Sequence, residues 1–349
     1  MKCPECGAVR KKNLKEDGEL RCVCGYQFIF QPGHAQGMTD AKFFNLFRRA
    51  GAGGRFYFTF PQIYTAWCQQ DAEERMSLLR KRLAGIGILM LALCIGCFLL
   101  FGGIGALPCL ILLIVPWLLV RRHHRQLPPD LGVLKKLVRQ WQAGHGGGDE
   151  MLLIRPSLHE PPPDFPEKDL FAYGVEQILL VERPLLVDLL VRNGFHADQN
   201  TLVVSRDGYP AYLVPRVQKI LKENSSLPVY LLHDAGEAGM TTARKNKLAG
   251  RTVIDLGIRP EHLKKMQFLK ELQLERKGYK MPVDILPYPV LAALCGQALC
   301  DKSTFSEVLE QWNALCVRKN PFWMQIQRTG IGKRIGKRIG KKKTNGQGA

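Results

Sequence analysis

From position 176 to 270, short apolar runs alternate with stretches of helical period. "QILLVE" reads as a buried strand ending at Glu182. "RPLLVDLLVRNG" reads as a helix, with Pro184 near its first turn and Gly194 past its end. "NTLVVS" predicts a second strand, followed by the turn "RDGYP". "AYLVPRVQKILKEN" predicts a helix with Pro215 in its first turn or at a kink. "PVYLL" is a third strand, "AGMTTARKNKLAG" a helix, "RTVIDLG" a fourth strand and "RPEHLKKMQFLKELQLE" a long helix. Such alternation implies a mostly parallel sheet with right-handed crossovers.

The rest of the chain divides by pattern. Residues 1–35 carry two cysteine pairs, and 36–82 read as a polar, helical, winged-helix-like segment broken at "AGAGG". Residues 121–169 are basic and then loop-like, as expected of a linker. Residues 170–320 form the α/β domain, and 321–349 are a low-complexity basic tail with a repeated Ile-Gly-Lys-Arg unit.

Residues 83–120 form an uncharged run of 38 residues. One straight helix of that length would be about 57 Å long, against a hydrocarbon core of about 30 Å. Two spans, about 83–101 and 104–120, fit better, joined at "FGGIGALP". The flanks are positive on both sides: Arg75, Arg80, Lys81 and Arg82 before, Arg121, Arg122 and Arg125 after. The expectation is a transmembrane hairpin with both termini cytoplasmic.

Charge adds a preference for acidic partners. The 349-residue chain has a formal net charge of +19 and is 46% hydrophobic, enough to bury a core. Eight Lys or Arg lie after position 327 with no acid among them, leaving +11 on the rest. This favours nucleic acid or an anionic membrane face. Within the tail, Lys333, Arg334, Lys337 and Arg338 are candidates to bind phosphates of DNA or RNA, or anionic lipid. The 11 cysteines do not resemble a secreted disulfide framework, and a reducing compartment is expected. The chain opens directly on "MKCPECG", where a cleavable signal peptide is not expected.

Cys3 and Cys6 form a CxxC; Cys22 and Cys24 form a CxC, and a Gly follows each pair. Four thiolates suit tetrahedral Zn²⁺ and leave no open position for catalysis, so the metal is expected to be structural. The spacing resembles that of zinc ribbons, which bind nucleic acid or protein or only staple a fold.

Acids collect where the strands end. Glu182 closes the first strand, Asp207 follows the second, Asp234 closes the third, and Glu237 lies just beyond. Ligands of open α/β sheets bind outside the carboxyl ends of the strands. A carboxylate cluster there can be neutralised by Mg²⁺, which serves phosphoryl chemistry.

"ILLVERPLLVDLLVRNGF", "TLVVSRDGYP", "LPVYLLHDAGEAG" and "DLGIRPEHL" occur in that order. Together they resemble the Toprim domain found in the A subunit of type VI topoisomerases and in its meiotic double-strand-break relative. That family shows Val-Glu-Lys at a strand end, a Gly-Lys-Gly-Tyr-Pro turn, Leu-Pro-Val-Tyr leading into Asp-Ala-Asp-Pro-Tyr-Gly, and a later Leu-Gly-x-x-Pro. The resemblance implies that Glu182 and Asp234 hold Mg²⁺. The family's second Asp falls on Gly236, and the Lys of its turn falls on Asp207. Glu237 or Asp207 could restore a third ligand, the other reading being a partly degenerate site on a retained fold; Glu182, Asp234 and Glu237 are the candidate catalytic and metal-binding residues. Arg206, Arg244, Lys245 and Lys247 are candidates to hold phosphates. "FYFTFPQIYTAW" would set Tyr64 and Thr65 at the family's paired tyrosines; Thr stands at the reactive second position, and no topoisomerase is expected.

The fold class expected is thus multidomain: a small zinc ribbon, a two-helix transmembrane hairpin and an α/β Toprim-like domain with a mostly parallel sheet. The expected function is a membrane-anchored protein that binds, and in one reading cleaves or handles, nucleic acid. The other reading is a non-catalytic membrane adaptor that recruits protein partners through the zinc ribbon and the Toprim-like fold. The family resemblance makes a dimer plausible.

Overall fold

A computed structural model describes residues 2–9, 21–30, 37–101, 129–144, 151–160, 174–236, 247–248, 251–259 and 281–309. In chain order its elements begin with helix α1 (Asp40–Ala50), strand β1 (Phe58–Thr59), helix α2 (Phe60–Phe101), helix α3 (Leu131–Gly144) and strand β2 (Leu152–Leu153). There follow β3 (Gln177–Val181), α4 (Pro184–Arg192), α5 (Phe195–Asp198), β4 (Thr201–Ser205), α6 (Val214–Glu223), β5 (Val229–Leu232), β6 (Lys247–Leu248), β7 (Arg251–Asp255) and α7 (Tyr288–Asp301). Short 3₁₀ turns at Ala211–Leu213 and Val283–Ile285 precede α6 and α7.

The main sheet has the order β4-β3-β5-β7-β6. Its first four strands in that order pair in parallel, and β6 closes one edge antiparallel to β7. The inner strands are apolar on both faces because both faces are covered. Ile178, Leu180, Leu202, Val204, Val229 and Leu231 pack against Val217 and Leu221 of α6. Leu179, Val181, Val203, Tyr230 and Leu232 face the cluster that holds α4 and α7. Chain order places β4 and β5 on opposite sides of β3, so the sheet's topological switch lies between β3 and β5.

The N-terminal part packs around aromatic rings. Phe30, Phe43 and Phe47 surround Trp141 of α3 at centroid distances of 5.0–6.0 Å. Residues 131–144, within the stretch expected as a linker, thus form a helix whose Leu134, Leu137, Val138 and Trp141 are buried at helical spacing. Buried Asp40, in the first turn of α1, accepts from Tyr26 Oη and from the N–H groups of Ile29 and Phe30. It thereby ties the cysteine-bearing segment to α1. Asp188 of α4 accepts from the N–H and Oγ of Ser157 and from Tyr209 Oη, clamping the chain after β2 onto the main sheet's helices.

Two expectations are corrected. The transmembrane hairpin is not supported: among the described residues no helix is long and apolar enough to cross a membrane. Residues 83–101 are the continuation of α2, a helix of 42 residues that begins inside the core with Ile63, Tyr64, Ala66, Trp67 and Cys68 buried. Residues 83–101 of the uncharged run are therefore the end of a longer helix with a polar middle, and an apolar run alone does not identify its surroundings. The second expected span, 104–120, lies outside the described residues. The hairpin element of the fold class, the two-span localisation with cytoplasmic termini, and membrane anchoring are withdrawn with it. The second correction concerns "AGMTTARKNKLAG": Lys247–Leu248 is an edge strand rather than helix. The long helix expected at "RPEHLKKMQFLKELQLE" lies almost wholly outside the described residues.

Candidate functional site

The site forms where β3 and β5 end. Because Val181 pairs with Leu232, the residues that follow, Glu182 and His233–Asp234, leave the sheet side by side at the topological switch. Glu182 N–H donates to Leu232 O at 3.0 Å. Glu182 Oε2 accepts from Asp234 N–H at 2.8 Å. Two of the acids expected from the sequence are thus brought together, 52 residues apart in the chain.

Arg183 stands among them. Its Nε donates to Asp234 Oδ2 at 2.8 Å, and its Nη2 to Asp234 Oδ1 at 3.2 Å. Nη2 also donates to Asp284 Oδ1 at 2.5 Å. Asp234 Oδ1 further accepts from Val283 N–H at 2.8 Å, and Asp284 Oδ2 from Thr59 Oγ1 at 2.7 Å. Asp234 is 2% exposed and Asp284 0%. Burial pushes the Asp234 carboxyl above the usual range, against the pull of the Arg183 charge. Burial also disfavours the guanidinium, yet Asp284 and Asp234 together hold its pKa above the ordinary arginine value. The guanidinium is the local counter-ion of two buried carboxylates.

Asp284 and Arg183 were missed as site residues. Asp284 sits in the 3₁₀ turn Val283–Ile285, within "MPVDILPYP", which has no strand or helix period to place it at a strand end. Arg183 stands where the resembled family has Lys, but as the residue before Pro184 it reads as a helix start.

Next to this cluster, His233 is fully buried between two acceptors. Its Nδ1 faces Asp234 O at 2.8 Å and its Nε2 faces Asp255 Oδ1 at 3.0 Å. Both ring nitrogens then donate, which favours the imidazolium. Burial opposes this charge, but the Asp255 carboxylate and the Asp234 carbonyl raise the His233 pKa above its ordinary value. Asp255, despite burial, is held down to about 2 by His233, Gly257 N–H and Arg259. Gly257 has no room for a side chain: a Cβ there would collide with His233 Nε2. These contacts fix the His233 ring between two acceptors and favour its charged form.

Of the other expected residues, Arg206 and Asp207 are exposed in the turn after β4. Lys247 pairs with Thr252, near the start of β7, and so lies toward the opposite end of the sheet from Glu182 and Asp234. Glu237, Arg244, Lys245, Lys333, Arg334, Lys337 and Arg338 lie outside the described residues. Thr65 Oγ1 donates to Pro61 O and to Ile285 O, and Tyr64 Oη to Pro129 O; both residues are buried as packing groups.

A second centre lies at the N-terminus. The thiol sulfurs of Cys3, Cys6, Cys22 and Cys24 all lie within 4.8 Å of one another. Two of the pairs, Cys3–Cys24 and Cys6–Cys22, are 3.7 and 3.5 Å apart. A tetrahedral zinc with bonds of about 2.3 Å sets its sulfurs about 3.8 Å apart. Gly7 and Gly25, with φ of +73° and +91°, make the turns that fold each pair inward. The thiols crowd one another. The Cys24 backbone N–H leads in holding Cys22 down to about 7; Cys24 has help from the Tyr26 backbone but is nonetheless pushed up to about 12 by loss of solvent and then by the Cys6, Cys22 and Cys3 thiols. A cation relieves that repulsion, and the four residues could hold one zinc ion as an all-thiolate, closed site. Among the described residues this is the one group of His, Cys, Asp or Glu assembled to hold a metal.

No curated protein and no solved structure matches the chain significantly. Residues 177–281 match the family model for the Toprim domain of the topoisomerase 6 A-subunit/Spo11 proteins. The matched stretch contains Glu182, Arg183 and Asp234 and ends at Met281, before Asp284. The α/β part of the chain is similar to that Toprim domain, and the similarity points to a function on nucleic acid.

Proposed function

We propose that the protein binds nucleic acid through its Toprim-like domain, with a zinc-stapled N-terminal segment as a second, rigid contact. The observation that carries this reading is the Toprim match over residues 177–281, with its matched acids gathered at the switch between β3 and β5. The net charge of +19 supplies the sequence-independent attraction that phosphate backbones reward. Arg206 projects from the turn at the carboxyl end of β4, on the side of the sheet where such domains take ligands. Arg244, Lys245 and the tail residues Lys333, Arg334, Lys337 and Arg338 extend the same chemistry. Lys247 serves a different edge.

The test is fluorescence anisotropy of labelled single-stranded and duplex DNA and of RNA with the full chain. The expected result is binding whose logarithm falls linearly with the logarithm of salt between about 50 and about 200 mM. Arg206→Ala is expected to weaken it several-fold with the thermal transition unchanged. Absence of binding at the low-salt end would overturn the proposal.

A further inference from the structure

The fold family implies a divalent cation among the carboxylates at this sheet edge, and the residues present do not fit one. All four carboxylate oxygens of Asp234 and Asp284 already accept a hydrogen bond: from Arg183 Nε, Arg183 Nη2, Val283 N–H and Thr59 Oγ1. Glu182 Oε2 accepts from Asp234 N–H. Mg²⁺ requires near-octahedral oxygens at about 2.1 Å and keeps several of its waters. Here Asp234 and Asp284 are 2% and 0% exposed, and a planar guanidinium fork spans them. A guanidinium matches carboxylates through directed N–H bonds and remains charged at any accessible pH.

We infer that Arg183 is the built-in cation of this site, occupying the role that a divalent metal takes in a Toprim domain, and that the site works without metal. The geometry accounts for three features together. The position of the family's second Asp is Gly236 here, so the acid that a metal would need is missing from its usual place. In its stead Asp284, beyond the matched residues, supplies a carboxylate, and it is aimed at Arg183. The far oxygen of Asp284 is held by Thr59, so the replacement also links the N-terminal part of the chain to the sheet. A metal that displaced Arg183 would leave a half-buried guanidinium without its two carboxylates and cut the Arg183–Asp284 part of that link. The inference deepens the nucleic-acid reading at the same site, yet its test contains no nucleic acid, so the two stand or fall separately.

The test uses the full chain with its zinc loaded. Hard cations do not compete for an all-thiolate centre, so Mn²⁺ and Mg²⁺ report on the carboxylates alone. Mn²⁺ binding is followed by electron paramagnetic resonance and Mg²⁺ binding by calorimetry. Wild type is expected to bind neither at millimolar concentration. Arg183→Ala is expected to gain one Mn²⁺ site, which Asp234→Asn then removes. Arg183→Gln, which removes the charge and the fork, is expected to gain the same site; the wild-type and Asp234→Asn measurements decide the matter should both variants fail to fold. Wild-type binding of Mn²⁺ or Mg²⁺ that Asp234→Asn abolishes would overturn the inference. So would a folded Arg183→Ala or Arg183→Gln that stays silent.

Discussion

Thr59 Oγ1 and Asp284 Oδ2 meet at 2.7 Å across 225 residues of sequence. Both are fully buried, and neither stands alone. Gln62 accepts from Thr59 N–H and donates to Leu286 O, and Thr65 donates to Ile285 O. Asp284's other oxygen belongs to Arg183. The start of α2 and the turn before α7 therefore share one buried polar network with the candidate site. Such a network stabilises only while every member is satisfied.

Replacing Thr59 by Val keeps the shape and removes the donor. Asp284 Oδ2 then loses its partner in a site without water access, which costs about 2 kcal/mol. Urea denaturation followed by tryptophan fluorescence and by far-UV circular dichroism checks this. The expected outcome is a lower midpoint with the two signals still coincident, since the network joins the two parts. A midpoint equal to that of wild type would show that the bond contributes nothing.

Gly257→Ala drives a methyl group into the His233 ring. The ring must leave its pocket, and the bond to Asp255 breaks. The expected destabilisation is about 2 kcal/mol or more, as for other overpacked cores. His233→Ala in the same chain vacates the space. The double variant is therefore expected to be markedly less destabilised than the sum of the two single variants, a coupling that a thermodynamic cycle measures directly.

The His233–Asp255 pair gives stability a defined pH window. His233 has a folded-state pKa above its ordinary 6.5, so its contribution is complete below that value and is lost as pH rises through the folded one. Asp255 is depressed from 3.8 to about 2, so its contribution is present above 3.8 and is lost as pH falls toward 2. The stability gap between wild type and His233→Gln is expected to be widest between these limits and to narrow on the alkaline side. Chemical denaturation at a series of pH values reads the gap; one that grew with rising pH would contradict the assigned ion pair.

Cys24→Ser removes one thiolate from the N-terminal cluster. Zinc released by acid and titrated with a chromogenic chelator is expected to fall from one per chain to none under mild chelation. Limited proteolysis is expected to cut near residues 21–30 first, because metal binding and folding are one equilibrium in so small a unit. The α/β domain, with its own core, is expected to keep its thermal transition.

Strands β3, β4 and β5 and helices α4 and α6 of the α/β part were legible because their signals are local. The strands β3, β4 and β5 are apolar runs of four or five residues between turn residues, and Gly194 at φ +79° marks the end of α4 as its position suggested. The thiol cluster was legible for the same reason. Arg183 and Asp284 were not, since their pairing spans 101 residues and Asp284 lies among prolines without periodicity. Helix α3 carried an apolar face at helical spacing, but its basic residues and the glycines after it read as linker. The run at 83–120 shows the limit of hydropathy: it detects apolar length and is blind to the helix already under way from Phe60.

Strands β1 and β2 pair in parallel, Phe58 with Leu152 and Thr59 with Leu153. In topological terms this short ladder is the neck of an excursion. It sets the start of α2 beside the point where the chain passes Met151, and it is closed from outside by Asn193, whose side chain pairs with both main-chain groups of Tyr57. A pull along α2 therefore reaches the body through Thr59, Gln62 and Thr65 together, which bond Asp284, Leu286 O and Ile285 O.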